Sequence, residues 1–232
     1  MAFTVPESPG QHLRLLQSKA AHFQNRSKED SMKINSLMIT DPITITENDS
    51  IQEAIELMKI NSIRHLPVVA KGARLKGFIT LADLKQGLIP SMLGDVSLKD
   101  LIIKNPIVVR PDDDIEIAAQ LIYKHKIGGM PVVQNDKLVG IITATDILRT
   151  FIDMMGFLTA SSRIDLVVGD EPGGFKNVLQ IINDNGGDII NVSMTAQEAR
   201  KRVYYFRLSP CNTAVIRKAL EKGGYQVLDT TG

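Results

Sequence analysis

The chain has 232 residues, enough for one to two ordinary domains with cores that need no covalent staples. Lys and Arg number 27 against 26 Asp and Glu, a formal charge of +1, so no global field draws in nucleic acid or a membrane surface. Trp is absent and aromatics are 5%, which leaves little for base stacking. The single cysteine, Cys211, excludes an internal disulfide framework and fits a reducing, cytoplasmic setting, while no apolar run is long enough for a bilayer and no apolar signal core begins the chain.

Residues 1–31 are mixed and polar, with Pro6, Pro9 and Gly10 early and a short helix expected over 12–23; they are read as an N-terminal extension. Then the sequence repeats itself, 37–86 against 101–149. Asp41-Pro42-Ile43, Leu66-Pro67-Val68-Val69 and Gly77-Phe78-Ile79-Thr80-Leu81-Ala82-Asp83 return as Asn105-Pro106-Ile107, Met130-Pro131-Val132-Val133 and Gly140-Ile141-Ile142-Thr143-Ala144-Thr145-Asp146. The prolines are offset by 64 and the closing aspartates by 63 (146 − 83), so one residue is lost in a turn near Gly72.

Each copy predicts β-α-β-β-α. A short strand follows the proline dipeptide, at 43–45 and 107–109. A helix comes next. Ser50 with Glu53 forms a capping box for the first, and Asp114 alone takes the N-cap of the second. Ile51, Ala54, Ile55 and Met58, and again Ile115, Ala118, Ala119 and Ile122, make an apolar helical stripe. Strands follow at 67–69 and 75–79, or 131–133 and 138–142, and a last helix starts at Thr80 or Thr143. Residues 151–162 read as the end of that helix, a stop at Gly156 and a small polar linker. Beyond it come a strand at 163–168, a turn at 170–174 and a helix at 175–185 with Phe175, Val178, Leu179 and Ile182 on one face. Strands at 188–194 and 202–208, a helix at 213–221 and a strand at 226–228 complete a β-α-β-β-α-β, ferredoxin-like order.

The doubled Gly-hydrophobic-x-Thr-x-x-Asp after Pro-Val-Val resembles the signature of tandem CBS domains, the Bateman module. The resemblance assigns 32–92 and 93–153 to two CBS domains packed as a pseudo-twofold pair. It implies an adenosine-containing regulatory ligand in their cleft: AMP, ADP, ATP, S-adenosylmethionine or an NAD species. Carried onto this sequence, the nucleotide-binding residues are Ile43, Arg64, His65, Thr80, Asp83, Ile107, Gly128, Met130, Thr143, Thr145 and Asp146.

The chemistry suits that role. Thr80 and Thr143 stand where a strand feeds a helix N-terminus, a place that favours phosphate. Asp83 and Asp146, one turn in, can accept both ribose hydroxyls. The same Thr-x-x-Asp is also a capping box, and the two roles are compatible. The copies differ before the Pro-Val-Val strand, with Arg64-His65 in the first and Gly128-Gly129 in the second. Arg64 offers a charged fork, so two unequal sites are expected, with the better phosphate clamp on Arg64 and His65 and with Lys104, His125 and Lys126 available to the other. Arg64 and His125 also read simply as solvated surface groups.

Residues 163–230, after a linker at 154–162, resemble an ACT domain. Asp170-Glu171-Pro172-Gly173-Gly174-Phe175 and Gly186-Gly187-Asp188-Ile189-Ile190-Asn191-Val192 carry the resemblance. It implies side-by-side pairing of two chains and, second, an amino-acid site involving Asp170, Gly173, Gly174, Asp188 and Asn191. Asp170 and Asp188 replace the asparagines of the serine-binding pattern, and turn geometry alone explains Gly173 and Gly186. The whole combination is similar to the acetoin-utilisation protein B family and implies a regulator of carbon metabolism.

Catalysis is not expected. His12, His22, His65 and His125 are scattered without metal-ligand spacing, no Walker loop is present, and Asp112-Asp113-Asp114 complement a helix start. Three readings follow. The first is a dimeric adenine-nucleotide sensor acting on a partner protein. The second is an assembly scaffold with vestigial pockets. The third is a nucleic-acid-binding regulator, supported only by Arg200-Lys201-Arg202.

Overall fold

The computed structural model describes residues 32–87, 96–158, 160–196 and 201–232, so the helix expected over 12–23 and Arg200 lie outside the described residues. Two compact units divide the chain between Ile147 and Leu148.

In the first unit a short strand β1 (Ile39–Thr40) precedes helix α1 (Ile51–Ile60), hairpin β2 (His65–Ala70) and β3 (Arg74–Thr80), and helix α2 (Leu81–Gly87). A single turn α3 (Leu98–Leu101) leads to helix α4 (Ile115–His125), hairpin β4 (Gly129–Gln134) and β5 (Lys137–Thr143), and helix α5 (Ala144–Met154). The hairpins share one register: Leu66 faces Ile79 as Met130 faces Ile142, and each slips once, after Val68 and after Val132. The missing residue is in the hairpin turn. Residues 71–73 join β2 to β3, with Gly72 at φ 74°, whereas Asn135 and Asp136 at φ 51° and 60° make a two-residue turn in the second copy.

Ser50 caps α1 in a full capping box with Glu53, as the sequence suggests. Asp114 does not do the same for α4. Its carboxylate takes Lys33 Nζ at 2.7 Å instead, and the Ile115 N–H is satisfied by the Met32 carbonyl. The strands expected at 43–45 and 107–109 shrink to single parallel bridges, Ile45 to Val68 and Val109 to Val132. Asp41 and Asn105 turn the chain at φ 48° and 56° just before each proline, and the prolines carry no N–H to extend a ladder.

The two copies exchange their leading segments. Ile39, three residues before Pro42, pairs with Ile141 on β5. Ile103, three residues before Pro106, pairs with Phe78 on β3. The cores follow suit. Ile34 and Leu37 pack with Val109, Ile115, Met130, Val132 and Ile142, in the core of the second copy. Leu98 packs with Ile45, Ile51, Met58, Leu66 and Ile79, in the core of the first. Gly77 and Gly140 make room for the crossing. A β-carbon at Gly140 would stand 2.6 Å from Met38 Sδ and 2.9 Å from the Ile39 carbonyl. One at Gly77 would strike Ile102 Cγ2 and stand 2.9 Å from the Ile103 carbonyl.

The second unit runs β6 (Ser162–Gly169), α6 (Gly174–Asp184), β7 (Ile189–Ala196), β8 (Lys201–Leu208), α7 (Thr213–Lys222) and β9 (Gln226–Thr231). Its antiparallel sheet has the order β7-β8-β6-β9, the β-α-β-β-α-β arrangement read from the sequence. Ile164, Leu166, Val168, Phe206 and Leu208 meet Val178, Ile182, Ile216 and Leu220 of the helices in its core. The chain is thus a mixed α+β protein with a sheet in each unit.

Candidate functional site

The Thr-x-x-Asp motifs build two superposable corners. Thr80 N–H and Oγ1–H both donate to Asp83 Oδ2, at 2.9 and 2.6 Å, and Asp83 N–H returns to Thr80 Oγ1 at 3.3 Å. Thr143 and Asp146 repeat these three bonds at 2.9, 2.6 and 3.3 Å. The capping half of the sequence reading is therefore present in full, and it engages Oδ2. The helix N-termini are less open than the sequence suggests. Leu81 N–H donates to the Arg64 carbonyl and Ala144 N–H to the Gly128 carbonyl, each at 2.9 Å. A phosphate would thus meet hydroxyls and side-chain cations rather than a row of free amides.

His65 stands between the corners. It faces Thr80 across the hairpin and stacks on Phe78 at 5.7 Å between centroids. Its Nε2 lies 2.7 Å from where a β-carbon of Gly128 would be, while Gly129 faces Thr143. Burial, then Arg64, holds its pKa below the ordinary value, against opposing pulls from both Asp83 and Asp146. Sequence reasoning singled out His65 and Gly128 separately. Phe78, and the contact that joins the two residues, went unread.

The remaining candidates divide. Arg64 and Gly128 are exposed, as are Ile43 and Thr145, while Ile107 is half-buried. Met130 does not line a site: its side chain is fully enclosed in the core of the second copy, facing Ile142. Lys126 lies over the Tyr123 ring at 4.2 Å, on the exposed end of α4, and His125 beside it is exposed.

In the second unit the expected amino-acid set separates. Asp170, Gly173 and Gly174 follow β6, where a concavity of about 480 Å³ is lined by Val168, Phe175, Lys176, Arg202 and Tyr204 among others. Arg202 Nε sits 3.7 Å from Asp170 Oδ1, so the one described side chain of the basic cluster is paired. Asp188 stands at the other end of the sheet, beside Ile189, which faces Leu208. It accepts from Ser209 Oγ at 2.8 Å. The length of β6, seven steps of about 3.3 Å or ~23 Å, lies between them. Asn191 Nδ2 donates to the Met154 carbonyl at 3.0 Å and so anchors the preceding segment. Among the described residues no group of three His, Cys, Asp or Glu side chains could hold a metal ion.

Residues 34–89 and 98–153 both match the CBS domain family. They are a tandem pair of CBS domains. A homoserine O-acetyltransferase of Methanohalobium evestigatum is 34% identical over 117 residues, 50% of this chain and 23% of that protein, in the CBS part. The chain spans about a quarter of the length of the curated relatives it matches. A CBS domain pair solved with 5-methylthioadenosine and S-adenosyl-L-methionine is 31% identical, with 51% of this chain and 94% of that one covered, at a TM-score of 0.48. A Vibrio cholerae protein with the provisional name acetoin utilization protein is 30% identical, with 54% and 94% covered, at 0.49. In this CBS pair the strand exchange places both motif corners in one unit. Among the described residues no helix is long and apolar enough to cross a membrane.

Proposed function

We propose that the CBS pair is a non-catalytic sensor of an adenosine-containing ligand. AMP, ADP, ATP, S-adenosylmethionine and NAD species are the candidates. The observation that carries this is the pair of matched Thr–Asp corners set on either side of one partly buried imidazole. Each corner joins a hydroxyl to a carboxylate, the donor and acceptor types that a nucleotide's phosphate and ribose require. Arg64 makes the corners unequal and favours phosphate near the first. The backbone at Ile43 and Ile107, beside the bridges to β2 and β4, reads the edge of the base.

In this reading residues 163–230 form an ACT domain joined by a linker at 154–162. Two chains pair through it into a cytoplasmic homodimer, and ligand state passes to a regulated protein, with acetoin and carbon metabolism as the setting. A small-molecule site in the ACT unit that uses both Asp170 and Asp188 draws them from two chains, because they lie at opposite ends of one sheet. Nucleic acid is not a partner in this reading, since the charge is balanced and Arg202 is paired.

A second reading, a scaffold with vestigial pockets, is favoured by one observation: each corner closes its three bonds within the chain. Thermal melting with a panel of AMP, ADP, ATP, S-adenosylmethionine, NADH and free amino acids separates the two. A ligand at about 100 times its Kd adds ~2.7 kcal/mol. Stabilisation by one adenosine compound, lost in Asp83→Ala or Asp146→Ala, supports the sensor. No shift with any of them leaves the scaffold.

A further inference from the structure

The two corners are not separate in space. His65 belongs to the first copy by sequence and pairs with Thr80 by register. Its Nε2 nevertheless lies so close to Gly128 that a β-carbon there would stand at 2.7 Å, with Cε1 at 3.0 Å. Gly128 in turn holds the start of α5 through its carbonyl, and the next residue faces Thr143. The imidazole is therefore one residue from each corner. Among the described residues, the charged and aromatic groups beside it are Arg64, immediately before β2, Asp83 on α2, Asp146 on α5, and the Phe78 ring against its face.

Resting on the reading of the corners as nucleotide sites, we propose that His65 is a wall common to both, and that it takes up a proton when a phosphate-bearing ligand enters either one. The two sites then share a single switchable cation and do not fill independently. Without ligand, burial and Arg64 disfavour the charged imidazole. A phosphate dianion beside it reverses that balance, and the proton comes from solvent. Only a small residue at position 128 leaves room for a ring that serves both sides. That assigns a reason to the Gly128-Gly129 departure from Arg64-His65.

The test is calorimetric titration of the full chain with AMP near neutral pH, in PIPES and in Tris. The two buffers differ in ionisation heat, so the difference in observed heat counts protons taken up. AMP's own phosphate also exchanges protons, so the titrations are run on the alkaline side of neutrality, where free AMP is already a dianion, and comparison with His65→Gln isolates the imidazole. Wild type is expected to take up more protons per AMP than His65→Gln, and adenosine, which lacks the phosphate, is expected to show no such difference. Gly128→Ala keeps the imidazole but crowds Nε2 from the other repeat, and it is expected to weaken AMP binding several-fold. Equal proton counts in wild type and His65→Gln, or wild-type affinity and proton count in Gly128→Ala, overturn the shared wall while leaving the sites standing. No AMP heat in wild type, with no melting shift for any adenosine ligand, removes the sites and the shared wall together.

Discussion

Thr80 and Asp83 hold each other through three hydrogen bonds, two into Asp83 Oδ2 and one back to Thr80 Oγ1. A residue so committed to its own helix start serves stability as well as ligand. Asp83→Ala is expected to cost about 1 kcal/mol of stability as a lost cap. Thr80→Val should cost a similar amount. The two readings part on the ligand: in a sensor Asp83→Ala also abolishes the AMP-induced rise in melting temperature, and in a scaffold there is no rise to lose. Differential scanning calorimetry with and without AMP reads both quantities.

Gly140→Ala tests the strand exchange. The added carbon would meet Met38 Sδ and the Ile39 carbonyl, so β1 must move off β5. A loss of roughly 1–3 kcal/mol is expected, the usual size for overpacking a filled site. Gly77→Ala should behave alike against Ile103. Urea unfolding of the two variants checks this, and wild-type midpoints would show that the crossing segments yield easily.

Ile34→Ala asks whether the exchanged segment matters to the core it enters. Ile34 is fully buried beside Met130, Val132 and Ile142 of the other copy. The expected cost is about 2–5 kcal/mol. Amide exchange should accelerate in β4 and β5, far along the chain from the substitution. Faster exchange confined to residues near 34 would contradict the exchanged core.

His65 gives the pH dependence its sign. Burial first, and Arg64 second, keep its folded-state pKa below the ordinary value near 6.5. As pH falls through that value the unfolded chain binds a proton that the folded chain resists. Stability contributed by the neutral ring is complete above it and is lost on the acid side. Melting temperatures of wild type and His65→Gln, followed from about pH 8 to about pH 5.5, should therefore diverge as pH falls, with wild type losing more.

Asp165 carries the opposite sign in the second unit. It is 7% exposed on β6, with Arg163 Nε at 3.1 Å from its Oδ1, yet neither atom finds a well-directed hydrogen bond. Burial raises its pKa; Arg163 opposes this and Asp229 adds to it. A raised carboxyl favours folding while protonated, and that contribution is lost as pH rises through its folded value. Asp165→Asn is thus expected to raise the melting temperature at neutral pH and to lose that advantage near pH 3. A lower melting temperature at neutral pH would show that the Arg163 contact outweighs desolvation.

Local chemistry was legible in the sequence where it acts over a few residues. The repeat, the hairpins, the one-residue difference in the turn near Gly72 and the Ser50–Glu53 box all follow from spacing and residue type. What escaped was long-range. No periodicity in 32–40 announces that Ile34 packs in a core formed largely by residues 109–147. The CBS resemblance carried Met130 into the site, but it faces Ile142 across the hairpin and is fully enclosed in the core. The ACT resemblance grouped Asp170 with Asp188. The helix α6 between them returns along the sheet and leaves them at opposite ends.

The crossed segments mean that neither copy closes its own core. Each half borrows a backbone pairing and a buried side chain from the other, Ile39 and Ile34 in one direction, Ile103 and Leu98 in the other. The repeat that duplication produced has become an obligate couple. A chain severed between the copies would give two fragments that are each incomplete, yet able to complement one another in trans. The intact pair should unfold in one cooperative step, with no half-folded species at equilibrium.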